Sequence, residues 1–390
     1  MKINKNIFYY YFIAFLLLIN LISGGVVPLG QDQSKDIVKM SLLIINILVI
    51  PMLGIKKCDF KVLTIYFCIA FFTLIASSLR TKELMYTIEK LDAILLGVPF
   101  SVLIILGLYN KIGLIELLKI LVKVGFLLLL ATFFYKLMFG FWDRNTRFFL
   151  NGANVFGWLM GLYFLASIYI YSIHRLKLFL FFSFFFLLGI FWSESKGTLL
   201  SSLLCVLMIV FTQFEGRKTK TLVFSIISLF IFFNQFMQEY IQSHYPGSRL
   251  LAIFRIFNGE LQESDQGSIG VRSELFSEAT NFFIDNPIFG IGLGNFKAYS
   301  ISGFDYPHNA HIEIFAENGI FLGILYLVFL SYALSVSRGF LRIIIIYFLM
   351  VCTFSGDLGY LRFAFVFMLL SICIKNQLKY YGYRINQAIG

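Results

Sequence analysis

Charge is scarce in this chain: Asp, Glu, Lys and Arg make up 14% of its 390 residues, against about 25% in soluble domains. Proline is rarer still, at six, and histidine is limited to four. The five cysteines (Cys58, Cys68, Cys205, Cys352 and Cys373) show no CxxC spacing, and none falls between 238 and 310. Neither a disulfide framework nor a cysteine metal site is supported. There is no HExxH pair, no Walker lysine and no evident nucleophile-plus-base pair. A basic patch with interleaved aromatics on a soluble module is also missing, which argues against nucleic acid as a partner. What fills the chain instead is apolar: 59% hydrophobic, 18% aromatic, with a mean hydropathy of +0.83.

Apolar runs this long read as membrane spans. With about 20 residues per crossing, the runs predict about twelve spans. They lie near 7–24, 37–54, 60–79, 91–109, 117–140, 152–173, 177–193, 197–214, 220–237, 311–336, 341–355 and 361–375. The first is read as a retained span, because the residues after it make only a loose small-residue cleavage site. The predicted architecture is an all-α, polytopic transmembrane helical bundle. Residues 1–237 form helices 1–9, residues 238–310 form one long outer loop, and residues 311–390 form helices 10–12 and a tail. Two amphipathic pieces are expected in the loop, at 248–258 and at 272–285, the second stopped by Asn286-Pro287. The polar stretch between them, 259–270, is expected to lack fixed structure. No internal repeat is evident, which weakens a transporter reading.

The net charge of +11 is unevenly spread. Lys and Arg are in excess in the connections on one side, which predicts both termini inside and the 238–310 loop outside. The outer side nevertheless keeps Arg80, Arg147, Lys196, Arg249, Arg255 and Arg272. Each alone suits a cation reaching for lipid headgroups. Together they suit a phosphate or pyrophosphate ligand, which Arg binds with a bidentate fork.

The richest segment runs from Phe282 to Leu330. It holds Gly290-Ile-Gly292-Leu-Gly294-Asn295-Phe296, then Tyr306-Pro307-His308-Asn309-Ala310-His311-Ile312-Glu313, and then a long apolar run. Ionisable groups at such an entry face a bundle interior or a polar cavity and mark a functional site by default. Helical spacing puts His308, His311 and Phe315 on one face, with Glu313 and Glu317 on another. Histidine suits general-base work at neutral pH; the bland alternative is a helix cap, with Asn309 as the capping residue. The glycine patch lacks GxGxxG spacing and suits a tight turn that lets another backbone approach. Gly157-xxx-Gly161 reads as close helix packing. Glu260, Glu263 and Asp265 could form a carboxylate metal site, but a solvated acidic loop is the simpler reading.

These residues resemble the O-antigen ligase and polymerase superfamily of bacterial envelope glycan enzymes. The resemblance is carried by Arg272-Ser-Glu-Leu-Phe, Asn286-Pro287 with the glycine patch, His308-Asn309-x-x-Ile312-Glu313 and Glu317-Asn-Gly319-Ile-Phe-Leu-Gly323. Weaker echoes are the Arg147–Gly157 segment and Ser193-Glu-Ser195-Lys196-Gly197. It implies a GT-C-like integral glycosyltransferase in the bacterial inner membrane. The donor would be a glycan on undecaprenyl pyrophosphate, handled at the periplasmic face with no cofactor and no metal. His308 matches the family's catalytic histidine and Arg272 its loop arginine. Arg80, Arg147, Lys196, Asn309, His311 and Glu313 are the expected contacts to pyrophosphate or glycan. Lys196 stands where relatives often carry Arg, keeping the charge without the fork. The resemblance implies an acceptor glycan and membrane lipid as partners, with a chain-length regulator as a further candidate. Tyr306-Pro307-His308-Asn309 resembles polymerase examples more than ligases. A ligase acting on lipid A–core is the alternative, and a lipid-linked oligosaccharide flippase a more distant one.

Overall fold

A computed structural model describes residues 7–25, 27, 33–140, 152–213, 234–244, 251, 255 and 263–381. Among the described residues the secondary structure is helical, with no strand. Among the described residues, seven helical stretches are long and apolar enough to cross a membrane: Asp36–Leu53, Lys57–Ser78, Leu84–Phe139, Ala153–His174, Lys196–Gln213, Ala310–Val336 and Leu358–Lys379. Phe8–Ser23, Lys177–Trp192 and Gly339–Phe354 are shorter apolar helices. The chain is an integral membrane protein.

Two expected spans, 91–109 and 117–140, are continuous in the Leu84–Phe139 stretch. Within it Gly113 has φ 76° and breaks the helical path. The expected span at 220–237 lies largely outside the described residues, as does the amphipathic piece at 248–258 apart from Leu251 and Arg255. The second amphipathic helix is longer than expected, running Glu263–Asp285. Residues 263–270, expected to be irregular, therefore continue it.

By contacts the chain divides into two compact units, residues 1–120 with 275–390, and residues 121–274. In the second unit, Ala153–His174 packs on Lys177–Trp192 and Lys196–Gln213. Phe126 sits among Phe181, Phe182, Phe185 and Phe186, with centroids 4.9–6.4 Å away. Helices approach closely where side chains are absent: a Cβ on Gly157 would come within 2.7 Å of Ser193 Oγ, as the packing reading expects.

In the first unit the Lys57–Ser78 helix is held at both ends. At its start, Lys56 Nζ donates to Gln377 Oε1 (3.0 Å) and Gln377 Nε2 donates to Asp59 Oδ2 (2.8 Å). At its far end Ser77 Oγ donates to the Glu317 carbonyl (3.3 Å). Near the last helix, Arg362 donates from Nε to the Leu21 carbonyl and from Nη1 to that of Gly359.

Candidate functional site

The Ala310–Val336 helix is two half-helices. Gly319, at φ 73° and ψ −171°, breaks it. A break inside a membrane strands carbonyls of the first half and amides of the second, and these need partners. The 286–292 segment supplies them. Ile291 N–H donates to the Ala316 carbonyl (2.9 Å), Gly292 N–H to that of Glu317 (2.8 Å), and Ile320 N–H to that of Pro287 (2.8 Å). The two backbones lie so close that a Cβ on Gly290 would sit 2.3 Å from the Glu317 carbonyl carbon. One on Gly319 would sit 2.3 Å from the Ile288 oxygen. The glycine patch is therefore the backbone partner of a broken helix.

Beyond that crossing, Asn295 ties the patch to the 80–82 turn. Its Nδ2 donates to the carbonyls of Arg80 and Ile291, and its Oδ1 accepts from Lys82 N–H at 2.6 Å. Arg80 is exposed, its guanidinium 4.5 Å over the Phe289 ring. Lys82 lies 4.2 Å over Tyr299. Lys297 pairs with Asp305 at 2.9 Å, and that hydrogen bond raises the lysine's pKa. The Glu263–Asp285 helix covers the patch with Phe282 on Phe296 and Phe283 on Phe315, while Glu278 accepts from Ser300 and Ser302.

Four buried charged side chains, Lys90, Glu313, Glu317 and Asp357, gather beneath the patch and the start of the broken helix. Lys90 Nζ donates to Glu313 Oε1 (2.5 Å) and to both oxygens of Glu317 (3.0 and 2.9 Å). Lys90 is 2% exposed and the two glutamates 0%. Glu317 also accepts from the amides of Gly294 (2.9 Å) and Phe296 (3.2 Å), and Glu313 Oε2 accepts from the Leu358 amide (2.9 Å). Asp357, the buried neighbour of Leu358, accepts from the Tyr86 hydroxyl at 2.7 Å and caps the short Leu358–Leu361 helix. Losing one partner of such a buried set leaves an uncompensated charge, an effect on the order of 3–5 kcal/mol.

His308 stands two residues before the helix, not on it, with φ 54° in the left-handed region. Helical spacing therefore does not set its direction. It is half-buried, its ring edge-on to Tyr306 (4.5 Å) and Phe304 (5.7 Å). Burial foremost, and then the charges of Tyr360, Asp357 and Glu313, raise the Tyr306 phenol above its ordinary range. Asn309 is the helix cap, its Oδ1 accepting from the amides of His311 (3.0 Å) and Ile312 (3.3 Å). Both ring nitrogens of His311 are engaged, Nδ1 with the Tyr326 hydroxyl (2.6 Å) and Nε2 with the Leu349 carbonyl (3.0 Å). A carbonyl only accepts, so Nε2 carries the proton and the neutral ring takes the tyrosine's at Nδ1.

The structure thus brings His308, Asn309, His311, Glu313 and Arg80 into one unit. Glu313 faces inward onto Lys90, and Arg80 faces solvent. Lys196 and Arg272 fall in the other unit. Lys196 is half-buried in the first turn of Lys196–Gln213, where a helix N-terminus favours anions, and Arg272 is exposed on Glu263–Asp285. Arg147, Arg249 and the side chains of Glu260, Glu263 and Asp265 lie outside the described residues. Among the described residues no group of three or more His, Cys, Asp or Glu is arranged to hold a metal ion.

Sequence reasoning put Glu313 and Glu317 on one helix face but gave Lys90 no part in the site. Two signals pointed to them. Glu313 and Glu317 stand four apart on an apolar helix, hence on one face, and Lys90 is a cation within a long apolar stretch.

No curated protein matches the chain. Residues 181–327 match the family model described as O-Antigen ligase. That segment contains Lys196, Arg272, the glycine patch, His308-Asn309 and the Glu313–Glu317 turn, so the match supports the O-antigen ligase and polymerase superfamily on the residues that carry the resemblance.

Proposed function

We propose that this protein is a surface-polysaccharide polymerase. It joins oligosaccharide repeat units carried on undecaprenyl pyrophosphate, at the periplasmic face of the inner membrane. An acceptor hydroxyl oxygen attacks the anomeric carbon of the donor sugar as the bond to pyrophosphate breaks. The hydroxyl proton passes to neutral His308, and the single displacement inverts the anomeric centre. The observation that carries the reading is the setting of His308: a half-buried imidazole held off the helix in a left-handed turn, against Tyr306, within the segment matched to the family. Charge building on the leaving pyrophosphate calls for fixed cations. Arg272 takes that role by its motif resemblance alone, with Arg80, Arg147 and Lys196 as further candidates. Polymerase is preferred to ligase on the Tyr306-Pro307-His308-Asn309 sequence.

A deletion strain tests the class. Polymerase loss leaves lipid A–core bearing one repeat, whereas bare core with glycan stranded on the carrier would identify a ligase instead. His308→Ala tests the chemistry. Its turnover should fall by roughly 10²–10⁴, the usual worth of a general base, while insertion and donor binding persist. Only neutral imidazole accepts a proton, so the wild-type rate should fall as pH drops through the histidine's pKa, and that limb should vanish in the variant. Near-normal turnover of His308→Ala would remove the assignment. Arg272→Ala should abolish transfer and Arg272→Lys impair it, because the bidentate contact is lost.

A further inference from the structure

Lys90 is the one cation among the four buried groups beneath the His308 turn, and its ammonium is committed to carboxylates of two residues. Those carboxylates in turn accept three backbone amides from two separate segments. Glu317 takes Gly294 and Phe296, and Glu313 takes Leu358. Each of those segments is tied through these carboxylates to the first turns of the helix that follows His308. Gly294 and Phe296 end the glycine patch that repairs the broken helix. Leu358 adjoins Asp357, which with Glu313 acts electrostatically on Tyr306, the ring 4.5 Å from His308. Glu313 itself belongs to the turn that Asn309 caps, and its amide donates to the Asn309 carbonyl at 3.2 Å. A five-residue π-helical stretch, Ala93–Gly97, follows Lys90 almost at once, a local register change of the kind that gathers at functional sites.

We infer that Lys90 is a positioning residue for the His308 site, holding the glycine patch, the 357–358 turn and the start of the broken helix in one arrangement through Glu313 and Glu317. The inference rests on the reading of His308 as general base. Stability alone is a poor explanation of such a cluster, because desolvating three charges offsets most of their attraction and apolar replacements often serve as well. What an apolar core cannot do is accept three named amides at once. Nor can it orient the chain on either side of a histidine held at positive φ. Lys90 does not touch substrate on this account, and its effect reaches the chemistry only through geometry.

The test uses the full-length protein in proteoliposomes, with undecaprenyl-pyrophosphate-linked oligosaccharide from the producing cells as donor. Lys90→Met should lower kcat by about 10²-fold, the loss expected from a reacting group misplaced by about an ångström. KM for the donor should stay near its wild-type value. Lys90→Arg, which keeps a cation able to bridge two carboxylates, should recover most of the lost kcat. Should Lys90→Met fail to accumulate in the membrane, Glu317→Gln takes its place. That change is isosteric, leaves the Lys90–Glu313 pair intact, and should give a smaller loss of the same kind. Wild-type kcat in Lys90→Met or Glu317→Gln would overturn the inference. So would a loss that appears in KM instead, or one that Lys90→Arg fails to relieve. His308→Ala in the same assay separates the two readings. If it turns over normally, the general-base assignment fails whatever Lys90 does. If it is inactive while Lys90→Met is normal, only the positioning role fails.

Discussion

At the residue scale, neighbouring polar groups in one short segment have taken different work. His308 and His311 are three apart, yet one stands half-buried in a left-handed turn while the other has both nitrogens engaged between two helices. His311 ties Ala310–Val336 to Gly339–Phe354, and its replacement should act on stability before chemistry. Asn309 is a capping residue by its two amide contacts. Asn309→Ala should therefore lower stability by about 1 kcal/mol, the usual worth of such a cap. Asn309→Asp keeps the acceptor and should restore it. Thermal unfolding in detergent checks the pair, and an unchanged midpoint in Asn309→Ala would remove the capping assignment.

At the element scale, the broken helix and the glycine patch are one device. Neither Gly290 nor Gly319 has room for a Cβ, because the atoms in the way are backbone carbonyls and amides, not flexible side-chain ends. Both also hold positive φ, where a side chain is strained in any case. Gly319→Ala should therefore be strongly destabilising, and more so than Gly113→Ala, which breaks another helical path with open space around it. Membrane-extracted protein levels and unfolding midpoints of the two variants measure the difference. Equal midpoints would show that the crossing has slack the contacts do not suggest.

At the scale of the whole molecule, the Lys57–Ser78 helix sets a ruler. Its 22 residues span about 33 Å at 1.5 Å per residue, close to the thickness of a bilayer's hydrocarbon core. The Lys56–Gln377–Asp59 group marks one end and the contact to Glu317 the other. The ion cluster and the start of the broken helix thus lie toward the end of this helix opposite residue 56. The excess of Lys and Arg predicts that residue 56 faces the cytoplasm. In a background without the native cysteines, a cysteine at position 264 should react with a membrane-impermeant thiol reagent in intact spheroplasts. One at position 218 should not. The reverse labelling would invert the topology and put His308 on the wrong side for a periplasmic reaction.

Much of this was legible in the linear chain. Apolar runs announce membrane helices because each must hide its backbone within a single segment. The stop at Asn286-Pro287, the tight-turn use of the glycine patch and the Asn309 cap follow from local backbone rules, which need no distant partner. The motif order around His308 announces the family. Tertiary structure alone decided what lies beneath. Lys90 is more than 220 positions from its carboxylate partners, and no local rule says which buried cation meets which buried acid. His308 left the helical face assigned to it because a single positive-φ residue turns the chain before the helix begins. Periodicity describes a helix once it has started; where it starts was set by a cap, a glycine crossing and a buried charge, each requiring partners that only folding brings together.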